Sequence, residues 1–388
     1  MEIIKHKTNF DFIGKRRPAL FISTLLNLAI IIGIATVGFN WGIDFVGGTV
    51  IEVKFDHPTT AEDVRKRVES GGLHDVSVQG IGAKEENSFL VRLGGTTQLT
   101  KETAAQASEA VKKLGNVTVL SPDVDNGILN FRSPTKLNTD EVKALVQPIV
   151  GVKEVRDNGE IGGMHEYQVI ASGMAERITS ALSQKDAKDF EIRRTEYVGP
   201  QVGKQLRNKG VGSLIYAMLA ILVYVAFRFD FRFAPGAIVA MLHDTIMVAG
   251  YYLLAGFFHR EFNLTSIAAL LTIIGYSVND TIVVYDRIRE EMARYKGKPL
   301  PEIINIAVND TLSRTILTSG VTALSLVGLL IFGVGEIWDF AMAMLVGIIV
   351  GTYSSVYIAS PLTIWLDERA EARARKSGGG NTKRVATT

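Results

Sequence analysis

LTSIAALLTIIGYSVNDTIVVY, residues Leu264 to Tyr285, is long and apolar enough to cross a bilayer, yet it carries Asn279 and Asp280 in its cytoplasmic-side third. About 20 such residues at 1.5 Å rise span the hydrocarbon. A carboxylate there is costly. An anchor would do better with Leu, so an intramembrane Asp is read as part of an ion or proton pathway that has a partner elsewhere in the chain.

The composition agrees with a polytopic membrane protein. Of 388 residues 47% are hydrophobic, and the mean hydropathy is +0.19. Lys+Arg of 42 against Asp+Glu of 40 leaves a net charge of +2, so no global charge points to nucleic acid or an acidic ligand. Cysteine is absent, which excludes disulfides, thiolate metal sites and cysteine nucleophiles.

Lys5, Lys7, Lys15, Arg16 and Arg17 precede the charge-free run Pro18 to Phe39, which places the N-terminus (1–17) in the cytoplasm by the positive-inside rule. This run, a first span over 18–40, is longer than a signal-peptide core and is expected to be retained. Five further apolar runs follow within 211–366, at Val211–Phe227, Phe233–Phe258, Leu264–Tyr285, Thr315–Val334 and Phe340–Leu366. Arg228 and Arg232, then Arg287, Arg289, Arg294, Lys296 and Lys298, then Arg369, Arg373, Arg375 and Lys376 all fall on one side, whereas Arg260 is the only Lys or Arg in the opposite turns. Six spans with both termini inside satisfy every connection. Residues 367–388 read as a flexible cytoplasmic tail.

Residues 41–210 form a soluble extracytoplasmic domain with an internal repeat. From about 44 to 120 the pattern reads strand, helix, strand, strand, helix, strand, and from about 127 to 198 it reads the same again. Phe55 aligns with Phe131, Ala61–Val64 with Thr139–Val142, Val76 with Val155, and Leu90-Val91 with Val169-Ile170. Such self-similarity marks a duplicated unit, here the ferredoxin-like βαββαβ pattern. SPDVDNG, Ser121 to Gly127, is the linker between copies. The competing reading is one irregular α+β domain.

Arg314 is the nearest candidate partner for Asp280, at the cytoplasmic start of the fifth span. Thr311, Arg314, Thr318, Thr322 and Ser325 recur every three or four residues and form one helical stripe; Thr272, Tyr276, Asn279 and Asp280 form another. Two such stripes on neighbouring helices predict a hydrated seam. Asp244, beside His243 near the middle of the third span, is a second buried ionisable site. Arg keeps its charge at any accessible pH while a carboxylate's protonation follows its surroundings. Withdrawing the Arg therefore loads a proton on Asp280, and its return expels it. The alternative is a static ion pair that fixes helix packing. Asp286, Arg287 and Arg289 read as solvated helix-end charges, and the second Asn-Asp-Thr, Asn309 to Thr311, as a coincidence with a capping contribution. Trp41 and Trp338 read as interfacial anchors.

Five stretches carry a resemblance: GIDFVGGT (Gly42 to Thr49, with Asp44, Gly47 and Gly48), EYVGPQVGKQL (Glu196 to Leu206, with Gly199, Pro200 and Gly203), HD at His243-Asp244, GYSVNDTIVVYDRIRE (Gly275 to Glu290), and TLSRT followed by TSG (Thr311 to Gly320). In this order they resemble the SecF family of the bacterial SecD–SecF export complex, within the resistance-nodulation-division superfamily. The resemblance implies half of such a transporter, six transmembrane helices with an extracytoplasmic α+β domain, in the bacterial inner membrane. It implies SecD, the SecYEG translocon, YajC, exported polypeptides and the lipid bilayer as partners, and ion-motive force as the drive for late export steps. The family's coupling Asp and Arg match Asp280 and Arg314. The coupling ion would be H+ or Na+, with no resident cofactor and no nucleic acid. The family usually carries one α+β module in this place, so the second repeat is a departure.

A small-molecule or lipid exporter of the same superfamily would need a concave apolar pocket in the outer domain, and the compact repeats argue against one. A non-transporting assembly factor is the third reading. No nucleophile–base set, metal-ligand cluster or phosphate loop occurs, which argues against an enzyme.

Overall fold

The computed structural model describes residues 8–73, 76–81, 86–94, 99–124, 126–183, 189–228 and 233–378, the last five by backbone alone. Lys5, Lys7, Arg232, the Arg375 and Lys376 side chains and the tail beyond 378 lie outside what is described. The chain divides into two compact units, Met1–Asn40 with Gly210–Thr388, and Trp41–Lys209.

The first unit is helical. Its members are α1 (Arg16–Thr36), α7 (Pro200–Arg228), which begins in the other unit, α8 (Ala234–Gly256), α9 (Leu264–Arg294), α10 (Leu300–Phe332), α11 (Glu336–Ser354) and α12 (Ser360–Gly378). A π turn at Ser355–Ala359 joins α11 to α12, so the two run as one rod, and among the described residues six helices are long and apolar enough to cross a membrane. α8, α9 and the α11–α12 rod bury half or more of their most apolar stretch, whereas α1, α7 and α10 bury at most 11%. The well-buried three make the centre of the bundle; the others turn residues such as Phe21, Tyr216 and Leu324 outward. α9 starts on a capping box in which Asn263 accepts from Ser266 N at 3.0 Å. Its 31 residues extend about 46 Å, more than the roughly 30 Å of hydrocarbon, so Arg287, Arg289 and Arg294 are helical rather than in a loop. The expected flexible tail is likewise helical as far as Gly378, because DERAEARAR is built from strong helix formers.

The second unit holds β1 (Gly48–Phe55), α3 (Ala61–Ser70), β2 (Val76–Ile81), β3 (Ser88–Gly94), α4 (Lys101–Lys112), β4 (Thr118–Val119), β5 (Ile128–Ser133), α5 (Thr139–Val150), β6 (Val152–Ile161), β7 (Met164–Ala171), α6 (Met174–Leu182) and β8 (Phe190–Val198), after a short α2 (Ile43–Val46). Both expected sheets are present, each with the strand order of a ferredoxin-like unit: β2-β3-β1-β8 and β4-β5-β7-β6. The division of the chain between them differs from two contiguous repeats. The first sheet is completed by α6 and β8 from the second repeat, and the second by α4 and β4 from the first. The cores agree: Ile178, Ala181 and Leu182 of α6 pack with Ile51, Val64 and Val91, while Ala104, Ala107 and Val111 of α4 pack with Leu129, Val142 and Val169.

The cause lies in the segment read as a linker. Ser121 to Gly127 closes a hairpin, in which Asp123 and Ile128 exchange backbone bonds at 2.8 and 2.9 Å and Leu120 N donates to Asn130 O at 2.9 Å. β4 is thereby fixed antiparallel to β5, with Thr118 opposite Arg132. The first sheet is left open beside β1, and β8 fills that place with Glu52 opposite Arg194. In this cysteine-free chain, Glu52→Cys with Arg194→Cys should form a disulfide under mild oxidation, since opposed residues lie about 5 Å apart at Cβ. Mass spectrometry of the linked peptides reads it; failure of this pair to link, with linkage of Glu52→Cys to Thr118→Cys of β4 in a second double variant, would restore contiguous repeats.

Candidate functional site

The centre of the bundle is set by how closely α9 and α11 approach. A Cβ on Gly351 would lie 2.9 Å from Ser277 Cβ, and one on Gly347 would lie 2.5 Å from Ile273 Cγ1. Two glycines four residues apart thus give α11 a flat strip against which α9 rests, the packing that small residues allow between membrane helices. The strip brings hydroxyls of α11 to the acidic groups of α8 and α9.

Asp244 on α8 is fully buried. Its Oδ2 accepts from Ser354 Oγ of α11 at 2.7 Å and from Ser277 Oγ of α9, and its Oδ1 lies 2.8 Å from His243 Nδ1. Three side chains, one from each of three helices, therefore meet at one carboxylate, which compensates the cost of burying it. His243 is buried too, with its ring 6.2 Å from that of Tyr353 and its Nε2 without a hydrogen-bond partner among the described residues. Tyr353 Oη donates to Ala19 O at 3.1 Å and lies 2.9 Å from Ser23 Oγ, tying this corner to α1.

Asp280, one turn beyond Ser277 on α9, is 6% exposed. Its contact is Thr352 Oγ1 of α11, at 3.4 Å, and Thr352 is itself 2.9 Å from Ser319 Oγ of α10. The expected direct pairing with Arg314 is not present. Arg314 is exposed and makes neither hydrogen bond nor ion pair to Asp280. The reason is the roll of α10, which packs inward through Thr311 and Thr315 and leaves Arg314 and Thr318 outside. The two predicted stripes meet at one point, where Tyr276 Oη donates to Thr322 Oγ1 at 3.3 Å; Asn279 and Thr272 face outward. The polar seam thus runs mainly along α8, α9 and α11, and Ser277, Ser319, Thr352 and Ser354 are members that sequence reasoning missed. The available signal was the Gly347/Gly351 spacing followed by Thr-Tyr-Ser-Ser.

At the far end of α9, Asp286 and Arg289 are exposed, as a solvated helix end requires, whereas Arg287 is held in an ion-pair cluster. Arg287 pairs with Glu290 at 2.6 Å, Glu291 at 2.8 Å and Asp310 of α10 at 2.7 Å, and Asp286 lies 3.7 Å from Arg228. Glu291 is fully buried, with Arg294 also at 3.6 Å. Asn-Asp-Thr at 309–311 is no coincidence either. Asn309 holds both backbone groups of Phe10 at 2.9 Å, helped by Asn305, whose Oδ1 accepts from Phe12 N at 3.0 Å.

In the Trp41–Lys209 unit the two glycine motifs come together. Gly48 is opposite Val198 in the sheet. Gly47 has φ +82°, and a Cβ on it would lie 2.8 Å from Pro200 Cα; one on Gly203 would lie 3.0 Å from Gly47 N. Gly199 precedes that helix start, and Gly42 and Asp44 open α2 on the other side. Trp41 packs on Phe45 and under Arg207, and Trp338 of the other unit lies beneath Arg260, which also pairs with Asp339 at 3.2 Å.

Two family models match: residues 177–369 fit "Protein export membrane protein SecD/SecF, C-terminal", and residues 32–59 fit "SecD/SecF GG Motif". The chain is 39% identical over 367 residues to the protein translocase subunit SecF of Magnetococcus marinus, covering 95% of both chains, and 35% identical to that of Koribacter versatilis, covering 95% and 94%. The chain belongs to the SecF family. Two SecDF crystal structures, one from Thermus and one of a super-membrane-facing form, match at 30% identity with TM-scores of 0.62 and 0.59. They align with 95% and 97% of this chain, which spans about two fifths of theirs (40% and 41%). The near end-to-end alignment with the Magnetococcus SecF leaves no room for an additional module in either chain, so the second repeat is shared with that relative. This SecF-family chain is a multi-pass membrane protein with an α+β domain between its first two spans.

Arg287→Ala should lower stability by about 2–3 kcal/mol, because Glu291 loses its nearer countercharge while remaining buried. Arg287→Met with Glu291→Met should recover most of that loss in detergent thermal unfolding; an Arg287→Ala protein as stable as the parent would show that the pair carries nothing.

Proposed function

We propose that this SecF-family chain works with SecD to draw on an ion-motive force in late steps of Sec-dependent polypeptide export. The observation that carries the reading is the seam itself: two carboxylates, Asp244 and Asp280, lie buried among membrane-crossing helices, and Asp280 has hydroxyl contact but no ion pair with Arg314. A permanent structural pair would keep acid and guanidinium together. A coupling pair has to spend part of its cycle apart, with a proton or Na+ entering as they separate and leaving as they meet. His243, Asn279 and Thr318 are assigned to the same path.

The ion is cargo, and no resident cofactor is needed; nor is any bond made or broken in the exported chain, so the role is not enzymatic. SecD is the proposed partner because the matched SecDF chains are more than twice as long and because α10 and α9 leave Arg314, Thr318 and Asn279 uncovered. SecYEG, YajC and the exported polypeptide follow from the family role, and the inner membrane with cytoplasmic termini follows from the distribution of Lys and Arg.

Asp280→Asn and Arg314→Met, each expressed with SecD, should abolish gradient-stimulated export of a model secretory protein while leaving the amount of assembled complex unchanged. Normal export by both variants would contradict the proposal.

A further inference from the structure

We infer that Thr352 is a positioning residue that joins Asp280 and Asp244 into one coupled pair through α11. The inference rests on the ion-coupling reading of Asp280 and adds to it a route by which occupancy of one carboxylate is felt at the other.

The hydrogen bonds between hydroxyls and the two carboxylates all run in one direction, from hydroxyl to carboxylate. Ser277 and Ser354 both donate to Oδ2 of Asp244, and Thr352 donates to Oδ2 of Asp280. A charged carboxylate only accepts, whereas a protonated one carries a donor of its own. Protonating Asp280 at Oδ2 therefore makes Thr352 Oγ1 the acceptor and turns its hydroxyl towards Ser319 Oγ, 2.9 Å away. Protonating Asp244 at Oδ2 likewise displaces a donor, and Ser354 has an alternative acceptor in Gly351 O at 3.1 Å. Thr352 and Ser354 are two residues apart on one helix, just as Ser277 and Asp280 are one turn apart on α9.

The segment that carries both hydroxyls ends at a break in regular α-helix. It leads directly into the π turn Ser355–Ala359, an irregularity found frequently at functional sites. Side chains hold the turn at both ends: Ser355 Oγ donates to Thr352 O at 2.9 Å, Ser360 Oγ to Ser355 O at 2.9 Å, and Tyr285 Oη to Ala359 O at 3.1 Å. A change at Thr352 thus reaches Ser354 through backbone to which Ser355 is already bonded. On the packed helices the titratable or charged groups nearest the two carboxylates are His243 on α8, in contact with Asp244; Tyr353 on α11, whose ring lies 6.2 Å from that of His243 and whose hydroxyl meets Ser23 and the Ala19 carbonyl of α1; Tyr276 on α9, bonded to Thr322; and Arg314 on α10, exposed and unpaired with Asp280.

The test uses the SecD-assembled complex in vesicles and reads modification of Asp280 by dicyclohexylcarbodiimide, which attacks protonated buried carboxyls, by peptide mass spectrometry across pH. Asp244→Asn should move the pH of half-labelling at Asp280 by about one unit. The same substitution in a Thr352→Val background should move it little, and in a Thr352→Ser background by the full amount. Ser354→Ala, which keeps the Asp244 carboxylate, is read in the same way and should also shift the parent but not Thr352→Val. A half-labelling pH indifferent to Asp244→Asn and Ser354→Ala, or shifted equally with and without the Thr352 hydroxyl, would overturn the inference. Either result could coexist with loss of export in Asp280→Asn, so failure here is distinct from failure of the coupling role itself.

Discussion

The bundle depends on the close contact of α9 with α11 along Gly347 and Gly351. Side chains there would hold the helices apart, and the hydroxyls of Ser354 and Thr352 would no longer reach Asp244 and Asp280. A buried carboxylate without donors is among the most expensive groups a membrane protein can hold. The glycines therefore do more than tighten packing: they make it feasible for two acids to sit in the interior at all. α10, which carries Arg314 and leaves most of its apolar stretch uncovered, stands beside this centre. A buried acid near a cation that is not paired with it is a physical basis for an ion-dependent change of arrangement.

The Trp41–Lys209 unit shows a different constraint, in which a hairpin outranks sequence adjacency. Once the turn from Ser121 to Gly127 pairs β4 with β5, neither repeat can close on its own strands, and the two sheets must exchange their last helix and strand. The exchange makes each sheet depend on both repeats. At the motif junction, Gly47 and Gly203 let the start of β1 and the start of α7 approach to backbone contact.

Much of this was legible in the residues. Apolar length located the crossing helices, period-two alternation located the strands, and the cost of charge in lipid singled out Asp280 and Asp244. What failed was the choice of neighbour. A helical stripe such as Thr311, Arg314 and Thr318 says which residues share a face, not which helix that face meets, and α10 turned much of it outward. Thr352 and Ser354 were overlooked because a hydroxyl in an apolar helix has a weak signal of its own and gains meaning only beside a carboxylate. The ordered charges around Arg287 were missed for a similar reason: helix ends are usually solvated, and the burial of Glu291 is a tertiary fact. The repeat was visible, but a seven-residue linker rich in turn formers could not declare from composition alone that it would be a hairpin.

In the proposed cycle Asp280 exchanges a cation with the aqueous phases as Arg314 approaches and withdraws. Ion movement itself tests this most directly: the chain, reconstituted with SecD in vesicles enclosing a pH- or Na+-sensitive dye, is given an imposed gradient and an exported chain in transit. The account predicts cation entry that depends on both the substrate and Asp280. Flux identical to that of empty vesicles, or flux that persists unchanged in Asp280→Asn, would contradict it.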